Sequence, residues 1–153
     1  MAGDPLHAAF LAYLTSELDE VGLALPWRII DTRNTGQDPD ATTPYVDFEI
    51  TPQPTVQYTT GAPGSNLHQE QGQIIIAFKV PFGDTIDVTN HQDLAGEHAY
   101  ALFRRWLSSN YNRFICDSRQ VRLFSPLRLG FGEDDGGMWI ETMAVSYELF
   151  HVG

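Results

Sequence analysis

The chain reads as an α+β protein: a mixed, mainly antiparallel β-sheet with two principal helices packed on one face and a long projecting β-hairpin. Three observations predict this class. Two segments, around 6–21 and 94–106, carry apolar residues three and four positions apart, the spacing of a helix with one buried stripe. Other stretches alternate apolar and polar residues, the two-residue period of half-buried strands. The order is helix, three or four strands, helix, two strands, which groups the helices over one sheet face.

Asp4 and Pro5 supply an N-cap and a proline at the first helical position, and Leu6, Phe10, Leu14, Leu18 and Val21 follow up to Gly22. Pro26 starts a short strand, Trp27–Thr32, and the polar segment Arg33–Pro44 is a loop. Tyr45–Thr51 alternates Val46, Phe48 and Ile50 against Tyr45, Asp47 and Glu49; Pro52 and Pro54 then put the strand at an edge or kink it. Thr55–Thr60 has strong β-propensity, and the turn-rich GAPGSNL separates it from the next strand. The two strands make an extended hairpin whose outer part is polar.

Residues 69–83 form the longest strand. Ile74, Ile76, Phe78 and Val80 share one face, while Gln69, Gln71, Gln73 and Lys79 lie on the other with Ile75 and Ala77. At roughly 3.3 Å per residue, a strand of about 12 residues reaches about 40 Å, against a radius of gyration of about 15 Å for one domain. Its Gln/Glu-rich end is therefore expected to project beyond the body.

After Gly83, Asn90 and Asp93 are spaced like a capping box, and Leu94, Ala95, His98, Ala99, Leu102, Phe103 and Trp106 form a wide stripe ending near Ser109. Two strands follow, Val121–Leu129 and Met138–Phe150, joined by the hairpin chemistry of GFGEDDGG. In the last one, Trp139, Met143, Val145, Tyr147 and Leu149 form an apolar face interrupted by Glu141, expected beneath the helices.

With 153 residues, one domain spanning 1–153 is expected. No apolar run is long enough to cross a membrane, and the N-terminus has no basic leader region, so a cytoplasmic chain without membrane association is expected. The lone cysteine, Cys116, reads as a small core residue. The net charge of −11, from 20 acids against 9 bases with Lys79 the only lysine, argues against a phosphate-binding surface. An acidic wall can instead let DNA slide past without adhesion.

Chemistry-bearing motifs are weak. His91, Asp93, Glu97 and His98 lack the spacing of a zinc helix and are better read as caps, a solvated acid and a packing histidine. Glu133, Asp134 and Asp135 lack the calcium-loop pattern. No nucleophile elbow, phosphate loop or dinucleotide fingerprint occurs, so the chain is read as a non-enzyme with no catalytic, cofactor-binding or metal residues. Arg104, Arg105, Arg113, Arg119, Arg122 and Arg128 concentrate the bases after residue 100, which fits either the basic edge of a head-to-tail ring or scattered surface charge.

LPWRIIDTRN at 25–34, GQIIIAFKVPFG at 72–83, DLAGEHAYALFRRWL at 93–107 and DDGGMWIETMAVSYEL at 134–149 together give a chain that resembles the tail terminator family of long-tailed bacteriophages and phage-like particles. The resemblance covers roughly 6–150 and departs at the inserted hairpin TVQYTTGAPGSNLHQEQ and at the loop 33–44. It implies a structural virion protein, a homo-oligomer whose hexameric ring caps the head-proximal end of the tail tube. The ring would end tube polymerisation and offer the head–tail joining surface, after assembly in the host bacterial cytoplasm. The implied partners are the tail tube protein and a head–tail connector or stopper protein, with DNA passing through the ring without specific binding and no cofactor. On this reading Gln57, Tyr58, His68, Gln69, Glu70 and Gln71 are arm contacts, and Arg104 and Arg105 are ring contacts or solvated helix residues. The alternatives are a head completion or connector (neck) protein of the same particle, and a small acidic enzyme or ligand-binding domain.

Overall fold

The helical stripes and the alternating strands meet as two layers. The computed structural model describes residues 5–21, 28–30, 45–54, 56–57, 66–81, 87–108, 110–133 and 138–152. In chain order these are α1 (Pro5–Glu20), β1 (Arg28–Ile30), β2 (Tyr45–Pro52), β3 (Val56–Gln57), β4 (Leu67–Pro81), α2 (Asp87–Trp106), β5 (Arg113–Cys116), β6 (Arg119–Glu133) and β7 (Met138–Val152). The described strands form one sheet in the order β1-β2-β4-β7-β6-β5, with β3 also paired to β4. β1 and β2 run parallel and every other pair is antiparallel, so the sheet is mixed and mainly antiparallel.

β4 and β7 are the sheet's centre, paired residue for residue from Leu67↔Val152 to Pro81↔Met138. Directly opposed residues share a face. Ile74, Ile76, Phe78 and Val80 of β4 therefore lie beside Met143, Val145, Tyr147 and Leu149 of β7 on the inner face, all of them buried. Val46, Phe48 and Ile50 of β2 and Val121 and Leu123 of β6 extend that face on either side. Leu6, Phe10, Leu14 and Leu18 of α1 and Ala99, Leu102 and Trp106 of α2 pack onto it in the same cluster. Each such side chain contributes about 1.5–3 kcal/mol on burial, so the helices are held mainly by this stripe-on-face contact.

Four expectations are corrected. First, the polar end of β4 does not stand clear of the body. Leu67–Gln73 pairs with Val152–Ser146 of β7 on one side, and with Thr51, Pro52 and β3 on the other. β7 runs as far as β4 does, so the polar residues lie in an interior strand. The projecting hairpin is described only at its base, and residues 58–65, including Tyr58, lie outside the described residues. Second, α2 starts at Asp87, which places Asn90 inside the helix and not at its cap.

Third, a strand is added. Arg113–Cys116 forms the edge strand β5, turning into β6 through Asp117 and Ser118, both at positive φ (50° and 63°). That is a two-residue hairpin turn of the mirror-image kind, which matches strand twist and which Asp tolerates better than most residues. Fourth, β6 is longer at both ends than Val121–Leu129 and carries two register irregularities, at Phe124/Leu127 and Arg128/Gly130.

Gly72 marks where the apolar half of β4 ends. A Cβ there would sit 2.5 Å from the Thr51 carbonyl oxygen and 2.7 Å from the Tyr147 ring. The missing side chain lets Tyr147 lie flat across the strand. Gly72→Ala is expected to destabilise the chain by about 2 kcal/mol through overpacking against backbone. Gly96→Ala, in α2 with nothing within 4 Å of the added carbon, is expected to stabilise by about 0.5–1 kcal/mol. Urea unfolding of the two variants checks both signs.

Candidate functional site

The strand period divides the arm candidates. His68 and Glu70 lie on the inner face in line with Gly72 and Ile74, whereas Gln69 and Gln71 lie on the outer face, so the four do not make one patch. Gln69 is buried, and its Nε2 donates to Glu148 Oε2 at 2.7 Å. Glu148 in turn has Oε1 3.9 Å from Arg122 Nη1. The Gln71 carbonyl accepts the Gln53 amide at 2.8 Å. Gln57 pairs its backbone with His68, and its side chain lies outside the described residues.

Glu70 lines a cavity of about 160 Å³ with Leu6, Cys116, Asp117, Arg119 and Tyr147. At about 30 Å³ per water this holds a handful of waters, well below the volume of a pocket for a cofactor-sized ligand. Among the described residues no three His, Cys, Asp or Glu side chains are placed to hold a metal. His98 is on the packing face, as its place in the apolar stripe suggests. Burial lowers its pKa, with the Glu97 charge acting in the opposite direction.

Arg104 and Arg105 have different surroundings although adjacent. Arg105 turns toward α1, where its Nε donates to Glu17 Oε2 at 3.0 Å and its guanidinium lies 3.8 Å from the Tyr111 ring centroid. Trp106 Nε1 donates to the other oxygen of Glu17 at 2.8 Å. Tyr13 stacks on both Trp106 and Phe114, with centroids 5.7 and 4.8 Å away, and its hydroxyl donates to the Tyr111 carbonyl. Burial, reinforced by the Glu17 charge and opposed by Arg105, pushes the Tyr13 pKa far above its ordinary value. Arg105 thus serves the interior of the subunit.

Arg104 is exposed; its Nη1 donates to Tyr100 Oη at 3.4 Å and its guanidinium lies 5.9 Å from the same ring's centroid. Arg128 approaches that ring to 5.5 Å while pairing with Glu141, the buried acid that interrupts the β7 face.

Sequence reasoning missed Glu17. Its position was a signal: three residues beyond Leu14 and seven beyond Phe10, it falls on the buried stripe, and a buried indole N–H requires an acceptor. Exposed apolar positions were missed as well: Tyr100, Leu107, Tyr111, Ile115, Leu127 and Leu129, on α2, the turn after it, β5 and β6, are large side chains open to solvent, with Leu127 on the sheet's outer face opposite Ala144.

No family model matches the sequence, and no curated protein matches it. A solved structure that carries no functional description aligns with 97% of this chain and 96% of its own at a TM-score of 0.60, with 19% sequence identity. That likeness shows a shared fold.

Two outcomes test the interior reading. Glu17→Ala leaves the Trp106 N–H without an acceptor and Arg105 without its anion, and is expected to cost about 3 kcal/mol, whereas Arg104→Ala stays within about 0.5 kcal/mol. Urea titration followed by tryptophan fluorescence reads both. The folded His98 pKa lies below the ordinary histidine value of 6.5, so its contribution is complete above that pH and is lost as pH falls, when the unfolded chain takes up the proton first. His98→Asn is expected to flatten the part of the stability–pH curve just below that value.

Proposed function

We propose that the chain is a structural subunit of a phage tail terminator, forming a ring that caps the head-proximal end of the tail tube. The ring stops addition of further tube protein and presents the surface for head–tail joining. The observation that carries this reading is that, of the eight exposed large apolar or aromatic side chains among the described residues, six (Tyr100, Leu107, Tyr111, Ile115, Leu127 and Leu129) fall in the stretch 100–129. Contact with another protein surface would take such side chains out of water. The α+β architecture is the one the family resemblance implies, and the net charge of −11 suits a lumen through which DNA passes without adhesion.

Electron microscopy of the purified chain mixed with tail tube protein tests the proposal. Sixfold rings at one end of tube fragments, together with shorter tubes when the chain is present during polymerisation, are the expected result. Binding to portal-containing heads with bare tube ends would assign the neck role instead, and tubes growing unchanged would overturn both.

A further inference from the structure

The side of α2 that faces solvent carries a pattern of its own. Ala99, Leu102 and Trp106 are buried beneath the helix, whereas Glu97, Tyr100 and Arg104 are exposed, Tyr100 at 45%. Leu107, the first residue past the helix, is 57% exposed. At 3.6 residues per turn, positions 97, 100 and 104 point within an arc of about 60°, so they form one stripe along the helix. Such three- and four-residue spacing lets two helices keep in contact along their stripes at a shallow crossing angle.

The stripe is ordered before any contact is made. The Tyr100 ring stacks on Phe103, with centroids 6.1 Å apart, and the guanidiniums of Arg104 and Arg128 lie 5.9 and 5.5 Å from its centroid. An exposed aromatic ring already held in place loses little freedom on binding. The flanking charges are uncommitted: Arg105, Arg122 and Arg128 pair with carboxylates of this chain, but among the described residues neither Glu97 nor Arg104 forms an ion pair. Seven positions separate Glu97 from Arg104, about 10 Å along the axis, with Tyr100 between them.

The order of acid, aromatic and base is complementary to itself when reversed. An antiparallel second copy, with the two-fold axis beside residues 100–101, brings Glu97 of each copy level with Arg104 of the other. The two Tyr100 rings then flank the axis, and Leu107 lies toward each end. A parallel arrangement would set acid against acid and base against base. We infer that the exposed stripe of α2 docks the same stripe of a second copy of this chain, antiparallel, through two Glu97–Arg104 pairs around Tyr100. A two-fold contact closes at two copies, so it is separate from the head-to-tail contacts of a ring and stands independently of the terminator reading.

Charge exchange tests this, read by sedimentation equilibrium of the full chain up to millimolar concentration. One helix from each copy makes a small interface, so wild type is expected to form a weak, concentration-dependent dimer. Arg104→Glu and Glu97→Arg each bring like charges together twice, and each alone is expected to weaken dimerisation about tenfold or more. Both changes in one chain rebuild the pairs with signs exchanged and are expected to return affinity to within about threefold of wild type. Tyr100→Ala, with both charges kept, is expected to weaken it about tenfold. Leu11→Glu, on the exposed side of α1, is expected to change nothing. A wild type without a dimer, single variants that dimerise normally, or a double variant no better than the single ones would each overturn the inference. Binding of tail tube protein that depends on Tyr100, by a chain that stays monomeric alone, would assign the stripe to that partner and overturn it as well.

Discussion

The fifteen-residue pairing of β4 with β7 is the constraint on which the rest of the subunit depends. Side chains alternate faces with a period of two, so a slip of one residue would turn Ile74, Ile76, Phe78 and Val80 away from the helices together with half of β7. The apolar half of the ladder fixes that register. Once it is fixed, the polar half must pair as well, because backbone groups left without partners inside a protein cost more than polar side chains cost in a strand. Gln69 and Glu148 become neighbours through this register, and Gly72 and Tyr147 meet where the two halves join.

The helices add a second constraint. α1 and α2 share the inner face, and Glu17 is the polar group between them, receiving the Trp106 indole and Arg105. A buried carboxylate is tolerated because both of its oxygens are bonded and a cation adjoins it. Glu141 is treated in the same way by Arg128. Arg105, Arg122 and Arg128, three of the chain's nine bases, are thus paired with Glu17, Glu148 and Glu141. Much of the scarce positive charge is committed within the subunit, which deepens the acidity of the remaining surface.

The α+β class and the inner faces of β2, β4 and β7 were legible in the sequence because periodicity and burial express the same contact. The stripe of α1 is buried at every position the spacing named from Leu6 to Leu18. β5 was not legible: four residues with a Cys116-Asp117-Ser118-Arg119 turn lack the Asn-Gly or Asp-Gly signal, and only the positive φ values reveal the hairpin. The start of α2 was misplaced because Asp87 and Asn90 are both good caps, and helical hydrogen bonding reaches the earlier one. The polar end of β4 was taken for a projection because side-chain polarity was used to judge what backbone pairing decides. Nothing local distinguishes Arg104 from Arg105, since neighbouring helix residues differ by about 100° in direction. Arg105's partner Glu17 lies 88 positions away.

The edges of the sheet carry the final step. Natural sheets protect open strands with lysine, proline, short length or covering elements. Here the sole lysine, Lys79, sits in the interior strand β4, opposite Tyr45. On β6, which β5 accompanies only from Arg119 to Arg122, Pro126 coincides with a register irregularity, and an irregularity of this kind strengthens the local twist and limits which strands can lie alongside.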